Sequence, residues 1–269
     1  MKHPFYSLVP VIALFVALLS SCSKDEPFVL FPLEQDVALG AEVHQEILNM
    51  PDSLPILSQE QYPQAYQYLS SMMDRITASP DVLYKDRFGY TNVFIIRNDE
   101  ELNAFATPGG YIYVYTGLIK YLETEDHLAG VLAHEIAHAD RRHTVRAIQR
   151  EVGLQLLLDV ALGERQGAVV QVARALGNLQ YSRSNEEEAD QYSVRYLSNP
   201  QSPYACDGAA GFFEKLLAEG GTDGPPQFLS THPSPANRVE DIQAEAQSLG
   251  CDADPCSTCS YQQFKNMLP

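Results

Sequence analysis

His134-Glu135-Ile136-Ala137-His138 puts two imidazoles and a carboxylate within a short stretch of chain. On an α-helix, His134 and His138 fall about 40° apart on the wheel, one turn from each other. Two imidazoles so placed can hold one Zn²⁺ at about 2.0–2.1 Å each. Glu135 projects toward the same place and need not bind. Its task would be to take a proton from a water at the metal and pass it to a leaving amine. Ala129, Val131, Leu132, Ile136 and Ala137 make this stretch mostly apolar, which predicts a buried helix. An acid and two histidines buried there need partners, and a metal is such a partner.

A catalytic zinc needs a third protein ligand and an open position. The long metzincin spacing would require a glycine at position 141 and a histidine at position 144, but the chain has Arg141 and Thr144. The acidic run Asn185-Glu186-Glu187-Glu188-Ala189-Asp190 can supply a glutamate instead. Glu186 and Asp190 stand at i, i+4, so both face one way. Glu186 could bind zinc while Asp190 accepts a hydrogen bond from a ligand histidine and fixes its tautomer. Three consecutive acids also suit a solvated helix face, and geometry alone leaves the choice among them open.

The elements that must position these groups are mostly helical. Apolar spacing predicts helices over about Asp36–Met50 and Gln59–Ala78, and a strong one over Thr124–Val145. Glu151–Leu179 is a long amphipathic stretch with breaks at Gly163 and Gly167, read as a packing helix pair or a flap. Ser184–Leu197, Ala205–Ala218 and Pro235–Leu249 complete the helices. Strands are expected at Thr91–Arg97, Asn103–Phe105 and Tyr111–Tyr115, with a turn at Pro108-Gly109-Gly110. The fold class is therefore α+β, mostly helical, with one small early sheet. His143 follows His138 by five residues, about 140° round a continuous helix, so it should point away from the metal and serve the structure.

The 269 residues suit one full-sized domain, and 45% hydrophobic content is that of a folded protein. A net charge of −17 argues against nucleic acid as a partner, because neutralising phosphates needs a basic surplus. Lys2 and His3, the apolar run Leu8–Leu19 and then Ser20-Ser21-Cys22 read as a secretory signal with a lipobox-like ending. Cys22 is thus the expected lipidation site and the link to a membrane. Ser23-Lys24-Asp25-Glu26 reads either as a surface-export signal or as a plain polar tether. The organisation expected is a signal peptide at 1–21, a tether at 22–35, a peptidase domain at 36–250 and a cysteine-containing tail at 251–269. Cys206, Cys251, Cys256 and Cys259 allow three disulfide connectivities, and the sequence does not choose. The Cys256–Cys259 CxxC lies in a Pro- and Ser-containing tail and reads as structural rather than redox-active.

The chain resembles the HtpX/CaaX-prenyl-protease family of zinc metallopeptidases, in particular its soluble envelope members. The resemblance runs over roughly Asp36 to Arg238. It rests on Asn103-Ala104-Phe105-Ala106-Thr107-Pro108-Gly109-Gly110, on His134-Glu135-Ile136-Ala137-His138 with Arg142-His143 after it, on Glu186-Glu187-Glu188-Ala189-Asp190, and on Thr231-His232-Pro233 with Arg238. It implies a gluzincin, zincin-like fold and endopeptidase activity. It selects Glu186 as the third zinc ligand beside His134 and His138, with Asp190 as its support. It places His232 and Arg238 near the active site. His232 would donate to the oxyanion or fill the open zinc position in a latent state, and Arg238 would pair with a nearby carboxylate.

Two further expectations follow. An extended peptide could pair with an exposed strand edge at Gly109, Gly110, Tyr111, Ile112 and Tyr113, bringing a scissile carbonyl to the metal. The substrates would be unfolded or misassembled envelope proteins. The alternative is an envelope chaperone or assembly factor that keeps a structural zinc at a latent site.

Overall fold

The computed structural model describes residue 29 and residues 32–161, 166–219, 227–233, 237–256 and 259–269. The expected signal segment 1–21, Cys22 and Gly163 lie outside the described residues. Helices α1 (Leu33–Leu48) and α2 (Pro63–Thr77) lead into strands β1 (Val93–Ile96), β2 (Ala104–Ala106) and β3 (Ile112–Tyr115). Then come α3 (Thr116–Tyr121), α4 (Glu125–Asp140), α5 (His143–Val152), α6 (Leu154–Ala161) and α7 (Gln166–Leu176). The remaining helices are α8 (Arg183–Leu197), α9 (Gly208–Glu219), α10 (Gln227–Thr231), α11 (Arg238–Leu249) and α12 (Tyr261–Lys265). Among the described residues, no helix is long and apolar enough to cross a membrane.

The sheet order is β1-β3-β2, with β1 parallel and β2 antiparallel to β3. The strand expected to be an open edge is therefore the central one. Ile112 and Tyr113 face Val93 and Phe94 on one side and Ala106 and Phe105 on the other. Tyr111, Tyr113 and Tyr115 share one face of β3 and its approach, and the last two are buried. Tyr113 is fully buried and its hydroxyl meets His44 Nδ1 of α1 at 2.7 Å. Alternation along one strand reports which side chains share a face; it carries no information about how many neighbours the strand has.

Helix α4 carries the histidines and is the centre of the core. Thr124 caps it, its hydroxyl accepting from His127 N–H at 3.2 Å. Glu125 and Asp126 in the first turn suit the positive end of the helix. From Leu128 to Asp140 every residue is buried. The helix is sandwiched mainly by α8 and α9. Gly130 makes the α9 contact possible. A methyl group there would stand 2.1 Å from Ala209 N and 2.6 Å from Gly208 C, both backbone. Gly130→Ala should therefore force α9 outward and destabilise the fold by about 1–3 kcal/mol. A shifted midpoint in guanidinium unfolding would measure it, and an unchanged midpoint would contradict this packing.

The helix expected to run on to Val145 stops at Asp140. Arg142 adopts a left-handed φ of 61°, and α5 starts at His143. Two anchors fix this reversal. Arg142 grips the buried Asp36 of α1 through Nε (2.7 Å) and Nη2 (2.9 Å). Asp140 accepts from Leu83 N–H (3.1 Å), Tyr84 N–H (3.0 Å), Tyr90 OH (2.8 Å) and Tyr196 OH (2.7 Å).

The far end of α4 holds the last part of the chain. Asp126 accepts from the backbone N–H groups of Ala205 (2.9 Å) and Cys256 (3.2 Å), and Glu125 from that of Ser260 (3.2 Å). Disulfides join Cys206 to Cys251 and Cys256 to Cys259. Tyr261 and Phe264 of α12 are buried in the main core.

Candidate metal centre

His134, Glu135 and His138 come from α4, and Glu186 and Asp190 from the first two turns of α8. Ser182 caps α8, accepting from Asn185 N–H at 3.2 Å. His232 follows the short helix α10, and Arg238 opens α11. Ligand atoms of His134, His138, Glu186 and His232 all lie within 4.8 Å of one another. Each of these residues is at most 1% exposed.

Both α4 histidines turn Nε2 inward, 2.9 Å apart. His134 Nε2 is 3.3 Å from His232 Nδ1 and 3.5 Å from Glu186 Oε2. Glu186 Oε1 is 3.3 Å from His138 Nε2 and 3.1 Å from His232 Nδ1. A tetrahedron with bonds of about 2.0–2.1 Å has edges of about 3.3–3.4 Å. The observed spacings straddle that value, and three imidazoles with a carboxylate are a donor set that suits Zn²⁺. The residues present thus fit a four-coordinate ion. A second sign is the polar atoms left over. Among the described residues neither Glu135 oxygen nor His232 Nε2 has a hydrogen-bond partner, and the Glu135–His232 approach is 3.5 Å.

The surroundings set the charges. Burial pushes His138 well below the usual imidazole value, so a lone pair is available. Burial also opposes a charge on His134, but Asp190 and Glu186 outweigh it and hold its pKa up, at about 9. For Glu186, burial is outweighed by His232, Arg238 and His138, and the carboxyl sits well below its ordinary range. Glu135 is pushed up by burial. Arg238 Nη2 donates to Asp190 Oδ1 (2.7 Å) and lies 3.0 Å from Glu186 Oε2, while its guanidinium covers the Phe213 ring at 3.8 Å. Asp190 Oδ1 is 2.9 Å from His134 Nδ1.

The structure gathers Glu135, His232, Asp190 and Arg238 round the three expected ligands. It does not bring Gly109, Gly110, Tyr111, Ile112 and Tyr113 there as a free edge, which corrects that expectation. Gly109 O accepts from Gly89 N–H (2.8 Å), Gly110 N–H donates to Thr107 O (3.2 Å), and Tyr111 O accepts from Thr107 N–H (2.9 Å). Of the two edge strands, β2 is the one against α4. Phe228 N–H of α10 donates to Leu102 O, just before β2, at 3.1 Å.

Sequence reasoning missed three neighbours. Tyr181 stacks on His138 with ring centroids 3.8 Å apart, and Phe228 stacks on His232 at 4.2 Å. His143 does not point away: its Nδ1 lies 3.2 Å from His138 Nδ1. An unbroken helix would turn the ring away, but the Arg142 reversal brings the His143 ring back. Nothing in the local pattern signals Tyr181 or Phe228, because both contacts bridge distant segments.

Paired histidines one helical turn apart, an intervening acid and a glutamate from a second helix are the arrangement of HExxH metallopeptidases. The chain belongs to Peptidase family M48, whose family model matches residues 63–246. It is 32% identical over 199 residues to a putative beta-barrel assembly-enhancing protease of Vibrio cholerae, covering 69% of this chain and 40% of that protein. The beta-barrel assembly-enhancing protease of Escherichia coli K12 is 30% identical over 201 residues, with 70% of this chain and 40% of that protein covered. Mitochondrial metalloendopeptidase OMA1 of Schizosaccharomyces pombe is 34% identical over 149 residues, covering 54% of this chain and 44% of that protein. The chain thus spans less than half the length of these relatives.

Proposed function

We propose that the chain is a zinc-dependent endopeptidase of the bacterial cell envelope whose site is closed by His232. The observation that carries the reading is the convergence of His134, His138, Glu186 and His232 beside a buried Glu135 that has no hydrogen bond among the described residues. His134, His138 and Glu186 would hold the zinc. Zinc bound there supplies Lewis-acid chemistry, making water more acidic and drawing electron density from a carbonyl. Glu135 accepts the proton of the attacking water and passes it to the departing amine. Asp190 fixes the tautomer of His134, and Arg238 keeps Glu186 and Asp190 in place.

His232 supplies the fourth donor, and a four-ligand site is the closed kind. Opening therefore requires the His232 segment to leave. That movement would also free the Leu102 carbonyl, just before β2, from its hydrogen bond with Phe228 and open that end of the edge strand for pairing with an extended substrate. The relatives named for beta-barrel assembly support misassembled envelope proteins as substrates. The lipobox-like Cys22 supports a lipid anchor, at the outer membrane on its periplasmic or surface face.

Purified protein should carry about one zinc per chain and lose cleavage of unfolded protein when the zinc is chelated. His232→Ala should raise that cleavage on the order of tenfold, because the closed form no longer competes. A fall in cleavage would instead make His232 an oxyanion donor. Zinc without cleavage by either form would favour the chaperone alternative.

A further inference from the structure

We propose that His143 and Glu188 form a positioning relay that fixes the tautomer of His138 and so aims its Nε2 at the metal. The inference rests on zinc binding at His134, His138 and Glu186. It starts from an asymmetry between the two α4 histidines. Each directs Nε2 inward, so each has an outward Nδ1 to satisfy. For His134 that partner is Asp190, at 2.9 Å. For His138 Nδ1 the partner is no carboxylate but a second imidazole. Its Nδ1 meets His143 Nδ1 at 3.2 Å, and His143 Nε2 meets Glu188 Oε2 at 3.1 Å.

Proton bookkeeping along this chain has one solution with neutral rings. The Glu188 carboxylate only accepts, so His143 Nε2 carries the hydrogen and donates. His143 Nδ1 is then an acceptor. His138 Nδ1 must donate to it, which leaves His138 Nε2 with its lone pair facing the site. The relay thus does through two side chains what Asp190 does for His134 through one. The backbone holds it in place. The left-handed Arg142, clamped to Asp36, sets the direction of the His143 ring, which is itself fully buried. Glu188 is on the same helix as Glu186, two residues on. Its side chain is 41% exposed, so the relay runs from the surface to the centre.

The test uses the full-length protein. Zinc affinity is measured by chelator competition for the wild type and for His143→Leu, His143→Gln and Glu188→Ala. His143→Leu should weaken zinc binding about 10–100-fold, in the range for loss of a group supporting a metal ligand. His143→Gln should restore most of it, since its carbonyl can accept from His138 and its amide can donate to Glu188. Glu188→Ala should weaken binding less than His143→Leu. Nitrogen-15 histidine spectra of the zinc-loaded protein give a second readout. The wild type should show a protected His138 Nδ1 proton that Glu188→Ala perturbs and His143→Leu exposes to exchange.

Wild-type zinc affinity in His143→Leu, or a His138 proton found on Nε2, overturns the relay while leaving the metal reading intact. A wild type that binds no zinc overturns the metal reading and the relay with it. Should His143→Leu fail to fold, an unperturbed His138 signal in Glu188→Ala overturns the relay by itself.

Discussion

Glu135→Gln should reduce cleavage of an unfolded protein by about a hundredfold or more while zinc stays at about one per chain. The expectation follows from what surrounds the carboxyl. Glu135 is fully buried, neither of its oxygens has a hydrogen-bond partner among the described residues, and it sits between the two α4 histidines in sequence. A buried acid kept without a partner costs stability unless it has another task. Burial also raises its pKa above the ordinary carboxylate value. Glutamine has nearly the same shape, so packing survives, but it cannot take up a proton. The variant should accordingly melt no lower than the wild type. Release of fluorescent fragments, read beside elemental zinc analysis, measures both quantities. Equal cleavage by the two proteins would remove Glu135 from the mechanism.

The legibility of this site in the sequence varied with the range of the interactions. The HExxH pair depends only on helical periodicity, and the structure places both Nε2 atoms together. The acid was harder. Local pattern left Glu186, Glu187 and Glu188 open, and only the family resemblance selected Glu186. The fold explains why periodicity could not. α8 packs so that Glu186 is buried, Glu187 is exposed and Glu188 lies between these extremes, facing His143. The difference is set by α4 and α5, not by α8 itself.

Two features had no local signature. The apolar pattern continues past Asp140, so the break before α5 could not be read; it depends on Asp36, roughly a hundred residues earlier. Strand order likewise depends on long-range pairing. The alternation of Tyr111–Tyr115 marks a strand but not its neighbours, and β3 is flanked on both sides because the chain passes through β2 before reaching it. The helical framework and the histidine pair were thus legible, and the resemblance added Glu186, His232 and Arg238; the break at Arg142, the return of the His143 ring and the strand order were not legible.

Glu186→Ala should lower zinc to under about one-tenth equivalent per chain and destabilise the fold by about 3–5 kcal/mol. Both effects come from removing the one anion that faces four basic groups. Glu186 lies 3.5 Å from His134, 3.3 Å from His138, 3.1 Å from His232 and 3.0 Å from Arg238, fully buried. Without it, Arg238 keeps Asp190 but loses its second acid, and the inward nitrogens of His134, His138 and His232 lose the carboxylate that faces them. The metal loses its only carboxylate ligand among the four candidates. A pH signature separates this from simple cavity formation. The folded-state pKa of Glu186 is held below its ordinary range, so the unfolded chain takes up that proton first. Its stabilisation is then present above the usual carboxylate value and is lost as pH falls toward the depressed one. Metal-free wild type should therefore lose stability steeply on acidification, and the variant should lose less over the same range. Zinc content unchanged in Glu186→Ala would mean that the ligand is another acid, and parallel pH profiles would mean that Glu186 is not the charge holding this cluster together.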